Sequence, residues 1–277
     1  MSDKLNGFND YKSIRNKPYV ELAEIYDRVM DHVDYAAWAE YIFSVFQRFE
    51  IGTSKACHSP NVLEIACGTG NLSVNLHKLG FSLTCTDISP SMIAMAAHKF
   101  KKYNLPHRLF SSNMKSIPLN CLFDAVLCIY DSINYMVTSE DFIQAVREVA
   151  SVTEDGGFFI FDVCTEKNSE KYFSQSVMDE NFGDIQYERV CNFNHAERIQ
   201  KNHFIIHKNG KRHAENHYQK IFKLHEITEM IKKTPFTIRG RFDDLTFNPG
   251  TENSERIHFV LQKTEIDYSA QYQRSEV

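Results

Sequence analysis

No run of about eighteen apolar residues occurs anywhere in this 277-residue chain, which excludes an ordinary membrane-spanning helix. The N-terminus, MSDKLNGFNDYKSIRNK, lacks the apolar stretch of a secretory leader. The seven cysteines form no CxxC pair and no Cys/His spacing of a metal site. Several lie inside apolar runs (LTCTD, AVLCIY, FDVCT) and read as buried, reduced thiols behaving as small hydrophobes. An odd count without a leader predicts a reducing, cytoplasmic setting. Positive charge is not in excess: 31 Lys and Arg face 36 Asp and Glu, a net charge of -5. That excludes the uniformly basic surface of a general nucleic-acid binder, though not a local basic patch. There is no internal repeat and no low-complexity tract. What is present is ordinary for a folded protein, 43% hydrophobic and 24% charged, and long enough to bury a large core.

Met1 to Pro18 reads as a flexible lead. Between Tyr19 and Phe49, Leu22, Ile25, Tyr26, Met30, Val33, Ala37, Tyr41 and Ile42 recur at helical spacing, predicting two helices with a break near His32 to Tyr35. Strand and helix patterns then alternate. NVLEIA is a buried strand and GNLSVNLHKLG a helix stopped by Gly80. FSLTCTD is a strand. SPSMIAMAAHKFKKY is a helix capped by Ser89 with Pro90 in its first turn. HRLFSSN and FDAVLCIY are strands, SEDFIQAVREVASV a helix capped by Ser139, and DGGFFIFDV a Gly-Gly turn leading into a strand. This order predicts a doubly wound α/β sheet, parallel over these strands, with helices on both faces.

Beyond Asp162 the rhythm changes. From about Asn181 to Leu224 polar and apolar residues alternate, and KNGK marks a hairpin, predicting an inserted antiparallel sheet. HEITEMIKK follows as a helix, PFTIRGRF and ERIHFVLQK as a closing strand pair, and TEIDYSAQYQRSEV as a fraying tail.

The stretch carrying chemistry is VLEIACGTGN, Val62 to Asn71. A buried strand delivers the chain to a tight bend in which Gly68 and Gly70 permit unusual backbone angles and close ligand approach. The helix that follows points free N–H groups at the site. Glu64 lies near the strand's carboxyl end, where open α/β sheets bind ligands, and Asp87 ends the next strand about twenty residues on, placed to accept from ribose hydroxyls. A dinucleotide fingerprint would need a third glycine where Ser73 stands.

On these residues the chain resembles the class I S-adenosylmethionine (SAM)-dependent methyltransferases. LEIACGTGN, TDISPSMIAMA, FDAVLCIYDSINYM and GGFFIFDV are similar to that family's successive motifs. YVELAEIYDRVMDHVDYAAWAEYI resembles the helical cap of a bacterial subgroup with small or undefined substrates, and RHAENHYQKIFKLHEI its inserted sheet. The resemblance implies a seven-stranded doubly wound (Rossmann-like) sheet with an inserted antiparallel lid. The expected division is a lead and cap over 1–55, a SAM-binding core over 56–167, the insertion over 168–224 and the rest of the sheet with the tail over 225–277. It implies that Glu64, Ala66, Gly68 and Gly70 line the methionine end and ribose of SAM, with Asp87 on the ribose. Ile88, Met92, Asn113 and Met114 would border the adenine, Cys128 and Tyr130 the methyl group, and Tyr19 and Tyr26 would close the site. Ala66 stands where the family's first glycine is usual, and Asn113 where many relatives have Asp.

The expected reaction is displacement of the methyl group by an O, N or C atom of a small-molecule acceptor, with no metal. His217 and Asp131 are the candidates for a general base. His213, Glu215, His217 and Gln219 share one strand face, a polar ceiling for the pocket if the strand is regular; the competing role is a solvent-facing insertion that makes a homodimer. Trp38 reads as core or lid packing. Lys201, Lys208, Lys211, Arg212, Lys220 and Lys223 make the insertion locally basic, so an RNA-directed enzyme is one alternative and a non-catalytic SAM-binding protein another. No stacking platform for nucleic acid and no Asn/Asp-Pro-Pro-Tyr motif occurs, which disfavours a nucleic-acid partner; none of the features suggests a membrane.

Overall fold

The computed structural model describes residues 14–16, 18–52, 59–106, 108–174 and 176–264. Two sheets organise it. The larger runs β2 (Asn61–Ile65), β3 (Ser82–Asp87), β4 (Leu109–Ser111), β5 (Phe123–Cys128), β6 (Thr153–Cys164), β11 (Phe236–Asp243) and β12 (Arg256–Lys263), in the spatial order β11-β12-β6-β5-β2-β3-β4. β2 to β6 pair in parallel, while β12 lies antiparallel to both β6 and β11. The order turns back between β2 and β5, and that reversal opens a crevice at their carboxyl ends.

Helices cover both faces because the central strands, β2 and β5 and the second half of β6, are buried on both. α5 (Ser139–Ser151) and α7 (Leu224–Ile231) pack on one face through Phe142, Val146, Ile227 and Met230. α2 (Tyr35–Arg48), α3 (Asn71–Lys78) and α4 (Pro90–Lys102) cover the other through Ile42, Val45, Leu76 and Phe100. Pro90 stands in the first turn of α4 and Ser89 Oγ accepts from Met92 N at 3.3 Å, the predicted start. α5 is capped one residue earlier than expected: Thr138 Oγ1 accepts from Asp141 N at 3.1 Å, and Ser139 is already helical.

A second expectation is corrected at Gly156 and Gly157, which interrupt β6 rather than precede it. Phe123 pairs with Thr153 but Ala125 with Phe158, so the extra residues bulge out at this point. A Cβ on Gly157 would lie 2.8 Å from Glu154 O, leaving no room for a side chain.

The second sheet has the order β1-β10-β9-β8-β7: β1 (Ile14–Asn16), β7 (Ser176–Phe182), β8 (Ile185–Asn194), β9 (Ile199–Lys208) and β10 (Lys211–Lys220). It follows β6 through α6 (Glu166–Phe173) and returns to the larger sheet through α7. The β9–β10 turn holds Asn209 and Gly210 at φ 51° and 70°, the left-handed pair of the predicted hairpin. Two strands go beyond the expectation. Ile14–Asn16, within the predicted lead, pairs in parallel with β10, and β7 forms the opposite edge. The C-terminal tail lies outside the described residues beyond Thr264. The predicted cap helices are present as α1 (Leu22–Val29) and α2. Among the described residues no helix is long and apolar enough to cross a membrane.

Candidate active site

At the end of β2 the chain turns through three left-handed residues, Ala66 (φ 55°), Gly68 (φ 57°) and Gly70 (φ 77°). The alanine carries the strain a glycine would avoid, a cost of roughly 1–2 kcal/mol. Gly70 is required by packing as well: a Cβ there would lie 2.7 Å from the Phe100 ring. Gly68 N donates to Asp87 Oδ2 at 2.9 Å and Ser89 N to Asp87 Oδ1 at 2.8 Å, so Asp87 ties the bend to the end of β3.

The bend forms one wall of a cavity of about 600 Å³, within the usual size of small-ligand sites. Glu64, Ala66, Gly68, Tyr130 and Asp131 line it from the large sheet, and Tyr19, Tyr26 and Trp38 from the cap. Arg189, Gln200, Asn202 and Gln219 line it from the inserted sheet. The chamber fits SAM: a left-handed loop with bare glycine backbone, a carboxylate at the strand end and aromatic walls. Burial pushes Glu64 up to about 7, with Ser73 and Cys85 opposing it through hydrogen bonds.

The remaining residues expected at the cofactor lie around this wall rather than in it. Gly70 sits at the start of α3, and Asp87 is buried behind Gly68. Ile88 is 62% exposed and Met92 is buried in α4. Asn113 Oδ1 accepts from Lys115 N at 2.9 Å, and Met114 packs against the core. Cys128 is wholly buried in the core on the α5 side of the sheet.

The cap is fastened from both sides. Asp27 of α1 accepts from Thr69 Oγ1 at 2.5 Å and Asn71 Nδ2 at 3.0 Å, and pairs with Lys99 at 2.7 Å. From the insertion, Glu215 accepts the backbone N–H groups of Tyr19, Val20, Glu21 and Leu22 at 2.7, 3.1, 2.7 and 3.2 Å. A carboxylate of β10 thus closes the N-terminus of a helix almost two hundred residues away, where negative charge meets the helix dipole. Burial raises the Glu215 pKa, but the His217 and backbone hydrogen bonds outweigh it and hold it below the ordinary carboxylate value.

His217 stands behind the cavity wall. Its Nε2 lies 3.3 Å from Glu215 Oε2 and its Nδ1 2.8 Å from the Tyr135 hydroxyl, which lies 2.5 Å from the Tyr19 hydroxyl. Burial drives His217 below the ordinary imidazole value, so it is neutral. The bonds then have one consistent direction. Nε2–H donates to Glu215, Tyr135 donates to Nδ1, and Tyr19 donates to Tyr135. Tyr19 and Tyr135 reach the cavity and His217 does not. Of the four residues expected as a polar ceiling, Gln219 alone lines it.

Asp131 does face the cavity, with its oxygens engaged. Gln219 Nε2 donates to Oδ2 at 2.5 Å and Arg256 Nη1 lies 2.9 Å from Oδ1. Arg256 also pairs with the buried Asp162, whose carboxylate accepts Tyr130 N at 2.5 Å and Asp131 N at 2.8 Å. Burial works against the Arg256 charge, yet these carboxylates hold it firmly cationic. Neither Asp162 nor Arg256 is conspicuous in the sequence as a site residue; the partners are 94 positions apart. Asn134 is structural, donating to Lys220 O at 2.7 Å and accepting from Cys164 N at 3.3 Å. Trp38 packs on Tyr130 and His258 at the cavity edge, the expected lid packing. Six cysteines are described: five are buried, while Cys121 is exposed. Among the described residues one His/carboxylate group, Glu166, Glu170 and His195, lies outside the cavity, with Glu170 and His195 exposed.

A crevice at the strand-order reversal, a left-handed Gly-rich bend and an acidic residue ending the next strand are features of the class I SAM-dependent methyltransferase fold. Residues 62–157 match the family model described as a methyltransferase domain. Along its length the chain is similar to "Putative methyltransferase YqeM" of Bacillus subtilis (strain 168), 29% identical over 89% of this chain and 97% of that protein. It also resembles the crystal structure of a SAM-dependent methyltransferase from Clostridium acetobutylicum ATCC 824. That match has a TM-score of 0.75 and 25% identity, over 89% of this chain and 99% of that one. The sugar N-methyltransferase KedS8 from Streptoalloteichus sp ATCC 53650 shares the fold, with a TM-score of 0.70 and 19% identity over 92% and 98% of the chains.

Proposed function

We propose that this enzyme methylates an O, N or C atom of a small-molecule acceptor, with SAM against the Glu64–Gly68 wall and the acceptor beneath the inserted sheet. One observation carries the reading: a single cavity is bounded on one side by the Gly-rich bend and on the other by Arg189, Gln200, Asn202 and Gln219. A chamber of about 600 Å³ suits a small acceptor better than a nucleic-acid strand. The sugar N-methyltransferase among the structures of like fold is in keeping with this.

When bound, SAM supplies a methyl group already activated by its positive sulfur. Alignment of acceptor and methyl group is then the enzyme's main task, worth up to about 7–11 kcal/mol. Tyr19, Tyr26, Tyr130 and Trp38 exclude water from the chamber. Asp87, behind Gly68, takes the ribose, and Ile88, Met92, Asn113 and Met114 border the adenine. The Tyr19–Tyr135–His217–Glu215 chain receives the proton that an O–H or N–H acceptor releases. The lone pair of Tyr19 faces the acceptor, each hydroxyl passes a proton inward, and His217 Nδ1 takes the last one beside the Glu215 carboxylate. His217 thus acts through the tyrosines rather than on the acceptor, and Asp131 holds Arg256 and Gln219 in place.

The test is transfer of labelled methyl from SAM into fractionated cell extract. The reading predicts label in the small-molecule fraction. Label in RNA alone, with RNA retained by the protein at moderate salt, contradicts it.

A further inference from the structure

Among the described residues two guanidinium groups line the cavity, and their surroundings differ. Arg256 is neutralised by Asp131 and Asp162. Arg189, on β8, has no such partner. Its Nε and Nη2 both donate to the neutral Asn202 Oδ1, at 3.2 and 2.9 Å. Its charge lies 5.1 and 5.4 Å from the ring centroids of Phe173 and Phe204. Among the described residues no carboxylate pairs with it, and its other polar neighbour is the neutral Tyr187 hydroxyl. Ring faces offset only part of the loss of hydration of an enclosed cation. A guanidinium carries five N–H donors in a planar fork matched to carboxylate and phosphate oxygens, and the neutral Asn202 and Tyr187 side chains do not use them all.

A second observation on the same cavity points the same way. Asn168 Oδ1 is buried and has no hydrogen-bond partner, so the lining of the same cavity offers an unused acceptor as well as a cation without a counter-charge. A ligand bearing both an oxyanion and an N–H or O–H would satisfy the two together. SAM adds a further positive charge to the chamber, which strengthens the demand for a negative group on the other occupant.

We propose that Arg189 is an oxyanion-binding residue of the acceptor subsite, and that the methyl acceptor carries a carboxylate or a phosphate group. This rests on the reading of the cavity as the transfer chamber. Lys201, Lys208, Lys211 and Lys223 are not needed for it, since none of them lines the cavity.

The test uses the full chain loaded with S-adenosylhomocysteine (SAH) and titrated, at constant ionic strength, with acetate, inorganic phosphate and acetamide. Acetamide matches acetate in shape without its charge. The wild type is expected to bind acetate or phosphate at least tenfold more tightly than acetamide, and the tighter of the two anions identifies the oxyanion. Arg189→Gln should abolish that preference with SAH affinity unchanged, and Arg189→Lys should retain part of it. No preference for either anion in the wild type overturns the proposal, as does a preference that survives in Arg189→Gln. If the Gln variant does not fold, the wild type and Arg189→Lys decide: a Lys variant as selective as wild type shows that the fork is not the recognition element. Failure of the wild type to bind SAH sinks the methyltransferase reading separately, and the anion titrations on the ligand-free chain still judge Arg189.

Discussion

Ser73 Oγ donates to the buried Glu64 Oε2 at 2.6 Å. This bond explains why a serine stands where a dinucleotide-binding loop has its third glycine. A glycine there would leave a buried carboxyl without its nearest donor, and the strand-end acid and the helix would lose their link.

Glu64 should make stability depend on pH in the direction opposite to an ordinary ion-paired acid. Its folded pKa is raised to about 7, so the folded chain holds a proton that the unfolded chain releases between roughly pH 4.5 and 7. Stability is therefore lost as pH rises through that window, by at most about 3 kcal/mol at 1.36 kcal/mol per unit. Glu64→Gln removes this term. Chemical denaturation of the ligand-free protein should show the variant gaining on wild type from pH 5 to pH 8; a constant difference would mean that Glu64 is ionised throughout.

Gly68 and Gly70 should respond differently to alanine. At Gly70 a positive φ and a Phe100 contact of 2.7 Å combine, predicting a loss of about 2–4 kcal/mol in unfolding free energy. At Gly68 the nearest atom is a Tyr26 ring carbon at 4.0 Å, so stability should fall by only about 1–2 kcal/mol. The new methyl of Gly68→Ala borders the cavity, however, and SAM affinity should drop at least tenfold. Equal stability losses would contradict the packing argument.

Glu215→Gln should loosen the cap. The amide keeps one acceptor oxygen and loses the charge that faces the α1 N-terminus and His217, a cost of about 2 kcal/mol. Hydrogen exchange should quicken at Val20 to Leu22 while the amides of β5 remain protected. Uniform quickening would indicate that Glu215 serves the whole fold rather than the cap.

Tyr135→Phe interrupts the hydroxyl chain while keeping the ring. With an O–H or N–H acceptor, single-turnover methyl transfer should slow on the order of 10²-fold, and SAM affinity should be unchanged. Because His217 is neutral at the end of this chain, wild-type transfer should also fall on acidification as the imidazole gains a proton, and the Phe variant should lose that dependence. An unaltered pH profile would remove the relay.

Most of the large sheet is legible in the sequence because its signals are local: Ser89 and Pro90 at a helix start, Asn209 and Gly210 in a hairpin, apolar runs for buried strands. Failures arise where local signals tie or vanish. Thr138 and Ser139 are both capping residues, and only the extended backbone at Thr138 decides between them. β7 is exposed along most of its length, so it shows no alternation to read. The Gly-rich wall of the site is legible for the same local reason. The opposite wall is not, because Arg256 meets Asp131 and Asp162, and Glu215 meets the start of α1, only through tertiary packing. The alternation of β10 places His217 on one strand face with Gln219, whereas its position behind Tyr135 and out of the cavity depends on the insertion docking onto the 3₁₀ turn at Ser132–Tyr135.

The most direct test of the central claim is calorimetric titration of the full chain with SAM, SAH and NAD, repeated on Asp87→Ala. SAM and SAH should each bind one equivalent, NAD far more weakly, and Asp87→Ala should weaken SAM by about 1–3 kcal/mol through lost ribose hydrogen bonds and a loosened Gly68 bend. Saturable binding of NAD without binding of SAM or SAH would contradict the account.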